Sequence, residues 1–135
     1  MSLAVVYSRA EAGMLAPRVS IEVHLSNGLP AFHLVGMPEA AVRESKERVR
    51  SALLTCGYEF PAKRITVNLA PADIPKQGGR FDLPIAMGIL LASKQIKVES
   101  EVACEFAAEL SLSGELRSIP SVLPLALAVK RAGGC

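Results

Sequence analysis

Apolar residues recur at every second position through VSIEVHL, so Ile21, Val23 and Leu25 share one face and Glu22 and His24 take the other. That period predicts a half-buried strand over about 18–25. Residues 3–9 alternate more weakly, and LPAFHLV continues the pattern beyond Asn27-Gly28. Asn-Gly between alternating runs is the strongest short hairpin signal. It predicts antiparallel strands at about 18–25 and 30–35, so that the chain opens with two or three antiparallel strands.

The period then changes to that of a helix. Pro38 and Glu39 suit a first helical turn. AAVRESKERVRSALLTCG places Val42, Val49, Ala52 and Leu53 on one face and ends at Gly57. RITVNLA reads as a strand with Ile65, Val67 and Leu69 together. A loop, PADIPKQGGRFD, leads into an apolar helix from Leu83 to about Ser93. FAAELSLSGELRSIP predicts one or two strands with a Ser113-Gly114 turn, and a last helix begins near Pro120. The order is β-β-β-α-β-α-β-β-α, an α/β (α+β) domain with a mixed sheet.

Composition narrows this picture only slightly. The 135 residues are enough for one domain with a real core, and 50% of them are apolar. Four Phe, two Tyr and no Trp leave that core aliphatic. A net charge of +2 names no partner unless the basic groups cluster. Cys56, Cys104 and Cys135 follow no disulfide-framework or zinc spacing and read as reduced thiols in a cytoplasmic protein. The N-terminal residues lack a signal-peptide pattern, and the run Leu83 to Ala92 is too short to span a membrane. The ending KRAGGC follows a helix stop where a further strand is expected, as in a domain cut from a longer protein.

Several stretches invite chemistry. There is no GxxxxGK[ST] phosphate loop, so the chain is not an NTPase by itself. Gly78, Gly79 and Arg80, with Lys76 nearby, have two readings. One is an anion or nucleic-acid contact at a helix start. The other is a structural loop in which the Asp82 carboxylate caps the helix. Arg43, Lys46 and Arg50 run along one edge of the first helix and suit a phosphate backbone. Their alternative is a solvated face neutralised by Glu39–Arg43 and Glu47–Arg50 pairs. His24 and His33 have no metal-type cluster, and Ser111, Ser113, Ser118 and Ser121 lack a His-Asp set.

Three blocks together are more specific: MSLAVVYSRAEAG, EVHLSNGLPAFHLVGMPEAAVRESKERVRSAL and GYEFPAKRITVNLAPADIPKQGGRFDLPIAMGIL. They resemble the N-terminal domain of the magnesium-chelatase-like competence protein family, called ComM or YifB. The resemblance covers nearly the whole chain. It implies a fold like the proteolytic domain of Lon, within the ribosomal-S5-domain-2-like group. It also implies an AAA+ motor downstream, where ATP and Mg2+ would bind, and none of these cofactors in this chain. The full-length protein would be a hexameric, ATP-driven DNA helicase promoting branch migration in natural transformation. The chelatase label follows motor homology.

Lon-type proteases carry their nucleophile in a segment like P-K-D-G-P-S-A-G. The resemblance aligns P-K-Q-G-G-R with it and puts Arg80 at the serine. Aligning the lysine segment on Arg131-Ala132-Gly133 puts Leu123 and Leu125 at the two lysine positions. Without an activated nucleophile, no covalent route to peptide cleavage exists. The expectation is a domain without catalysis of its own that assembles the motor and contacts DNA through Lys76, Arg80, Arg43, Lys46 and Arg50. The competing readings are a protein–protein oligomerisation adaptor that never meets DNA, and a peptidase using a displaced serine such as Ser111 or Ser121.

Overall fold

Alternation becomes a sheet because each strand can bury only one of its faces. The computed structural model describes residues 2–97 and 104–134. Strands β1 (Ser2–Arg9), β2 (Arg18–Ser26), β3 (Ala31–Val35) and β4 (Arg64–Ala70) form a mixed sheet in the order β1-β2-β4-β3. The β2 register sets Ile21 opposite Leu69, Val23 opposite Val67 and Leu25 opposite Ile65, all buried. The reverse face is polar, and Asn68 donates to its cross-strand partner Glu22 at 2.7 Å.

Helices cover the apolar face. They are α1 (Ala40–Arg43), α2 (Ser45–Thr55) and α3 (Asp82–Ala92). A two-stranded hairpin, β5 (Glu109–Leu110) and β6 (Leu116–Arg117), and a last helix, α4 (Val122–Arg131), follow. The predicted order of elements holds, and RITVNLA forms β4 over the same residues. The long helix is divided at Glu44, although Glu44 keeps right-handed helical angles. At its other end the Tyr58 N–H donates to Leu53 O and the Gly57 N–H to Leu54 O. With Gly57 at φ +86 this is a Schellman ending, so the predicted stop is real.

Three expectations need correction. Residues 18–26 and 31–35 do not form a hairpin, because β4 lies between them and pairs antiparallel with β2 and parallel with β3. A type I′ turn needs positive φ at both central residues. Asn27 does not have it, and Pro30 has no N–H to give a ladder. Pro38 is not in a helical turn but forms an isolated bridge with Lys76, ahead of the helix N-cap at Glu39. Finally, Cys104 is disulfide-bonded and Cys56 is a free, exposed thiol, so the reading of three reduced thiols fails.

Two glycines set how closely the layers approach. A Cβ on Gly36, where φ is +107, would stand 2.1 Å from Leu69 O, a backbone atom that cannot turn aside. On Gly88, inside α3, it would stand 2.5 Å from the Val23 Cγ2 methyl, which can. Gly36→Ala should therefore destabilise the fold more than Gly88→Ala, which should itself cost ~1–3 kcal/mol. Denaturant titration of the two variants checks the order, and a reversed order would show that the helix, not the loop, is the tighter contact.

Candidate nucleic-acid interface

The glycine-paired loop after β4 directs its charges inward. Lys76 is 0% exposed, and its Nζ donates to Gly36 O at 2.7 Å and to Pro71 O. Its backbone is tied as well, since the Glu39 N–H donates to Lys76 O and the Lys76 N–H to Met37 O. Burial pushes the Lys76 ammonium below its ordinary value, with Asp73 opposing. Arg80 is 3% exposed. Its guanidinium donates to Pro120 O at 2.9 Å, Glu11 Oε2 at 3.3 Å and Arg9 O at 3.5 Å. Burial lowers its pKa too, and the Glu11 carboxylate works against that.

The expectation that Lys76 and Arg80 face a nucleic-acid strand is thus corrected. Both are internal clamps that fasten the loop to the ends of β1, β3 and β4 and to the residue before Ser121. Gly78, at φ +73, and Gly79 form the turn between them, and Glu109 lies so close to Gly79 that a Cβ there would meet its Oε1 at 2.4 Å. The cavity beside these glycines, about 210 Å³, also holds the Glu11 carboxylate. An anion entering it would face that charge, while the local cation, Arg80, is already bonded.

Asp82 departs from its expected role. It is the first residue of α3, with Phe81 at the N-cap, and its side chain caps nothing. Instead the buried carboxylate accepts from Ser45 Oγ at 2.5 Å, Arg48 Nε at 2.6 Å, Arg48 Nη2 at 3.1 Å and the Leu110 N–H at 3.0 Å. The hydrogen bond from Arg48 to Asp82 holds the guanidinium above its ordinary pKa, against burial. Sequence reasoning missed this node because Arg48 and Asp82 meet only once α2 and α3 pack.

The residues of a peptidase do not assemble. Arg80 is engaged as described, Leu123 is 67% exposed on α4, and Leu125 is half-buried. Ser121 Oγ donates to Glu11 Oε1 at 2.7 Å, and Ser111 Oγ shares a hydrogen bond with Ser113 Oγ at 3.0 Å. Among the described residues neither hydroxyl bonds the amine or imidazole of a serine–lysine or serine–histidine pair.

The edge of α1 and α2 is different. Arg43 and Arg50 are exposed and Lys46 is half-exposed. The Glu39–Arg43 and Glu47–Arg50 pairs do not form. Ion pairs among the described residues join Arg9 to Glu105, Arg48 to Glu44 and Asp82, and Arg80 to Glu11. Arg43 Nε reaches Pro38 O at 3.4 Å, and the Arg50 guanidinium lies 5.6 Å from the Phe60 ring centroid. The structure therefore brings together an edge of cations without carboxylate partners. Next to it opens a groove of about 440 Å³ whose lining includes Lys46, Arg50, Lys63, Phe32 and Phe60. The sequence reading passed over Lys63 and both aromatics. Their signal is three-dimensional, since the parallel pairing of β3 with β4 sets Ala31 against Arg64.

Comparison with known proteins adds the family. The model for subunit ChlI of Mg-chelatase matches residues 21–134. The chain belongs to that family. It is 60% identical over 132 residues to competence protein ComM of Haemophilus influenzae, which covers 98% of the chain. It is 54% identical to YifB of Salmonella typhimurium and 49% identical to YifB of Escherichia coli, each over 133 residues and 98% of the chain. The chain spans 26% of the length of each of these relatives. Among its described residues, no helix is long and apolar enough to cross a membrane.

Two measurements test the internal clamps. Asp82→Asn leaves Arg48 beside an uncharged amide and should lower unfolding free energy by ~3 kcal/mol in urea titration. Lys76 gives a pH signature. Its folded pKa lies below the unfolded 10.5, so between those values the unfolded chain binds more protons and stability from this site rises with pH. The stability of the native protein relative to Lys76→Met should therefore grow as pH climbs toward 10.5. A flat difference would mean that the ammonium is solvated.

Proposed function

We propose that this chain is the non-catalytic assembly and DNA-contacting domain of a longer AAA+ protein of the Mg-chelatase-like, ComM-related kind. In this reading ATP and Mg2+ bind a motor module outside the chain, the full-length protein assembles as a hexamer in the cytoplasm, and its work is DNA branch migration during natural transformation. The family match and the competence protein among its relatives support the setting. The observation that carries the DNA contact is the run Arg43, Lys46 and Arg50, which the fold leaves without acidic partners beside an open groove. Neighbouring cations without carboxylate partners can neutralise successive phosphates and release their counterions.

A second reading, an oligomerisation adaptor without DNA contact, draws on one observation. Val122, Leu123 and Leu127 leave an apolar face of α4 exposed. Large exposed apolar patches mark protein contacts.

DNA titration separates the two. In the full-length protein, Arg43→Glu with Lys46→Glu and Arg50→Glu should weaken DNA binding. It should also flatten the dependence of log K on log salt by about 0.7 per lost contact to a single strand. Unchanged affinity and slope would leave the adaptor reading standing and end the DNA-contacting one.

A further inference from the structure

The groove beside the cationic edge has a floor as well as a charge. Phe32 projects from β3 and Phe60 from the linker after α2, with ring centroids 5.7 Å apart and planes inclined by 32°. Both rings pack partly against the core and stay half-exposed on the groove side. Arg50 and Lys46 rise from α2 on one side and Lys63 from the other, with Glu47 as the one carboxylate in the lining. Arg50 stands over Phe60 within cation–π range. Past Pro61, Ala62 and Lys63 the surface opens into a second groove of about 400 Å³ that adds Lys94, Gln95 and Glu59. The recess is thus a track rather than a closed pocket.

Charge and shape select the occupant. An acidic peptide would meet the cations, but a flat ring is not part of its repeating unit, so it does not regularly cover the aromatic floor. Duplex nucleic acid would present phosphates, yet its bases are already stacked and cannot reach that floor. An unpaired strand offers both a free π-face and phosphates on either side of it, and base–aromatic stacking tolerates any sequence.

We propose that this groove binds single-stranded nucleic acid, an unpaired base taking the place of the Arg50 guanidinium on Phe60, beside Phe32, while Lys46, Arg50 and Lys63 hold the flanking phosphates. The inference rests on the DNA-contacting reading and narrows it to one site and one strandedness.

The test uses the full-length protein without ATP. Phe32→Leu with Phe60→Leu keeps apolar volume and removes the rings. It should weaken binding to a thymidine oligonucleotide about tenfold, leave a duplex of equal length unaffected, and preserve the salt slope. Unchanged single-strand affinity in this variant overturns the stacking site. If the charge reversals on Arg43, Lys46 and Arg50 still weaken binding in that case, the broader DNA reading survives alone. If neither set matters, both fall. An oligonucleotide carrying 2-aminopurine reads stacking in the native protein, so the result does not hang on how the variant folds. Its emission should fall further with the native protein than with the leucine variant, and equal emission overturns the proposal. Free thymidine monophosphate separates a strand from a mononucleotide. It should bind far more weakly than the oligonucleotide, and equal affinity would make this a nucleotide pocket.

Discussion

A single buried carboxylate decides how the helices sit on the sheet. Asp82 accepts hydrogen bonds from one helix and one strand, Ser45 and Arg48 on α2 and the Leu110 N–H on β5, while its own backbone begins α3. Removing such a group from water costs on the order of several kcal/mol, and only near-complete satisfaction offsets that. The geometry is accordingly restrictive. Moving α2 along its axis by one residue would carry Arg48 and Ser45 away together and strand the charge. The position of α2 in turn fixes which cations of α1 and α2 look outward. Arg48 is taken by Asp82 and Glu44, so Arg43, Lys46 and Arg50 are left along the other edge.

The loop between β4 and α3 completes the same logic with opposite charge. Lys76 and Arg80 donate chiefly to carbonyl oxygens at the ends of other elements, Gly36, Pro71, Pro120 and Arg9. A carbonyl is a weaker partner than a carboxylate, so burial outweighs the charge partners and both pKa values fall. A charged, glycine-rich loop before a helix has the look of a binding site. Here its chemistry is consumed in holding four chain segments together, and the exposed cations lie on α1 and α2.

Much of this was legible in the chain, and the boundary of legibility is physical. Alternation at Ile21, Val23 and Leu25 and at Ile65, Val67 and Leu69 predicted buried strand faces correctly, because burial on one face imposes period two. Gly57 predicted a helix end, because few other residues adopt its left-handed angles. Pairing was another matter. Asn27-Gly28 signals a hairpin only if the next strand is the neighbour, and β4 forms a more extensive ladder with β2 than β3 does with any strand. The charge pattern misled in the same way. Spacing put Glu39 near Arg43 and Glu47 near Arg50, but Arg48 alone turned to acids, since Asp82 came from a distant part of the chain. Phe32 and Phe60 carried no local signal, for their meeting depends on the β3–β4 register and on the turn at Gly57.

The sheet order also bears on how the two proposed contacts are arranged. Arg80 and Ser121 tie the start of α4 to Arg9 and Glu11, beside β1 at one edge of the sheet. The aromatic groove is built on β3, at the opposite edge. The start of α4 and the aromatic groove thus belong to opposite edges of the sheet. The formal charge of +2 conceals this division. Among the cations it averages are the internal clamps Lys76 and Arg80, the paired Arg9 and Arg48, and the exposed edge of α1 and α2, populations that share only their sign. The last of these, with Lys63 across the groove, is the set proposed to meet phosphates.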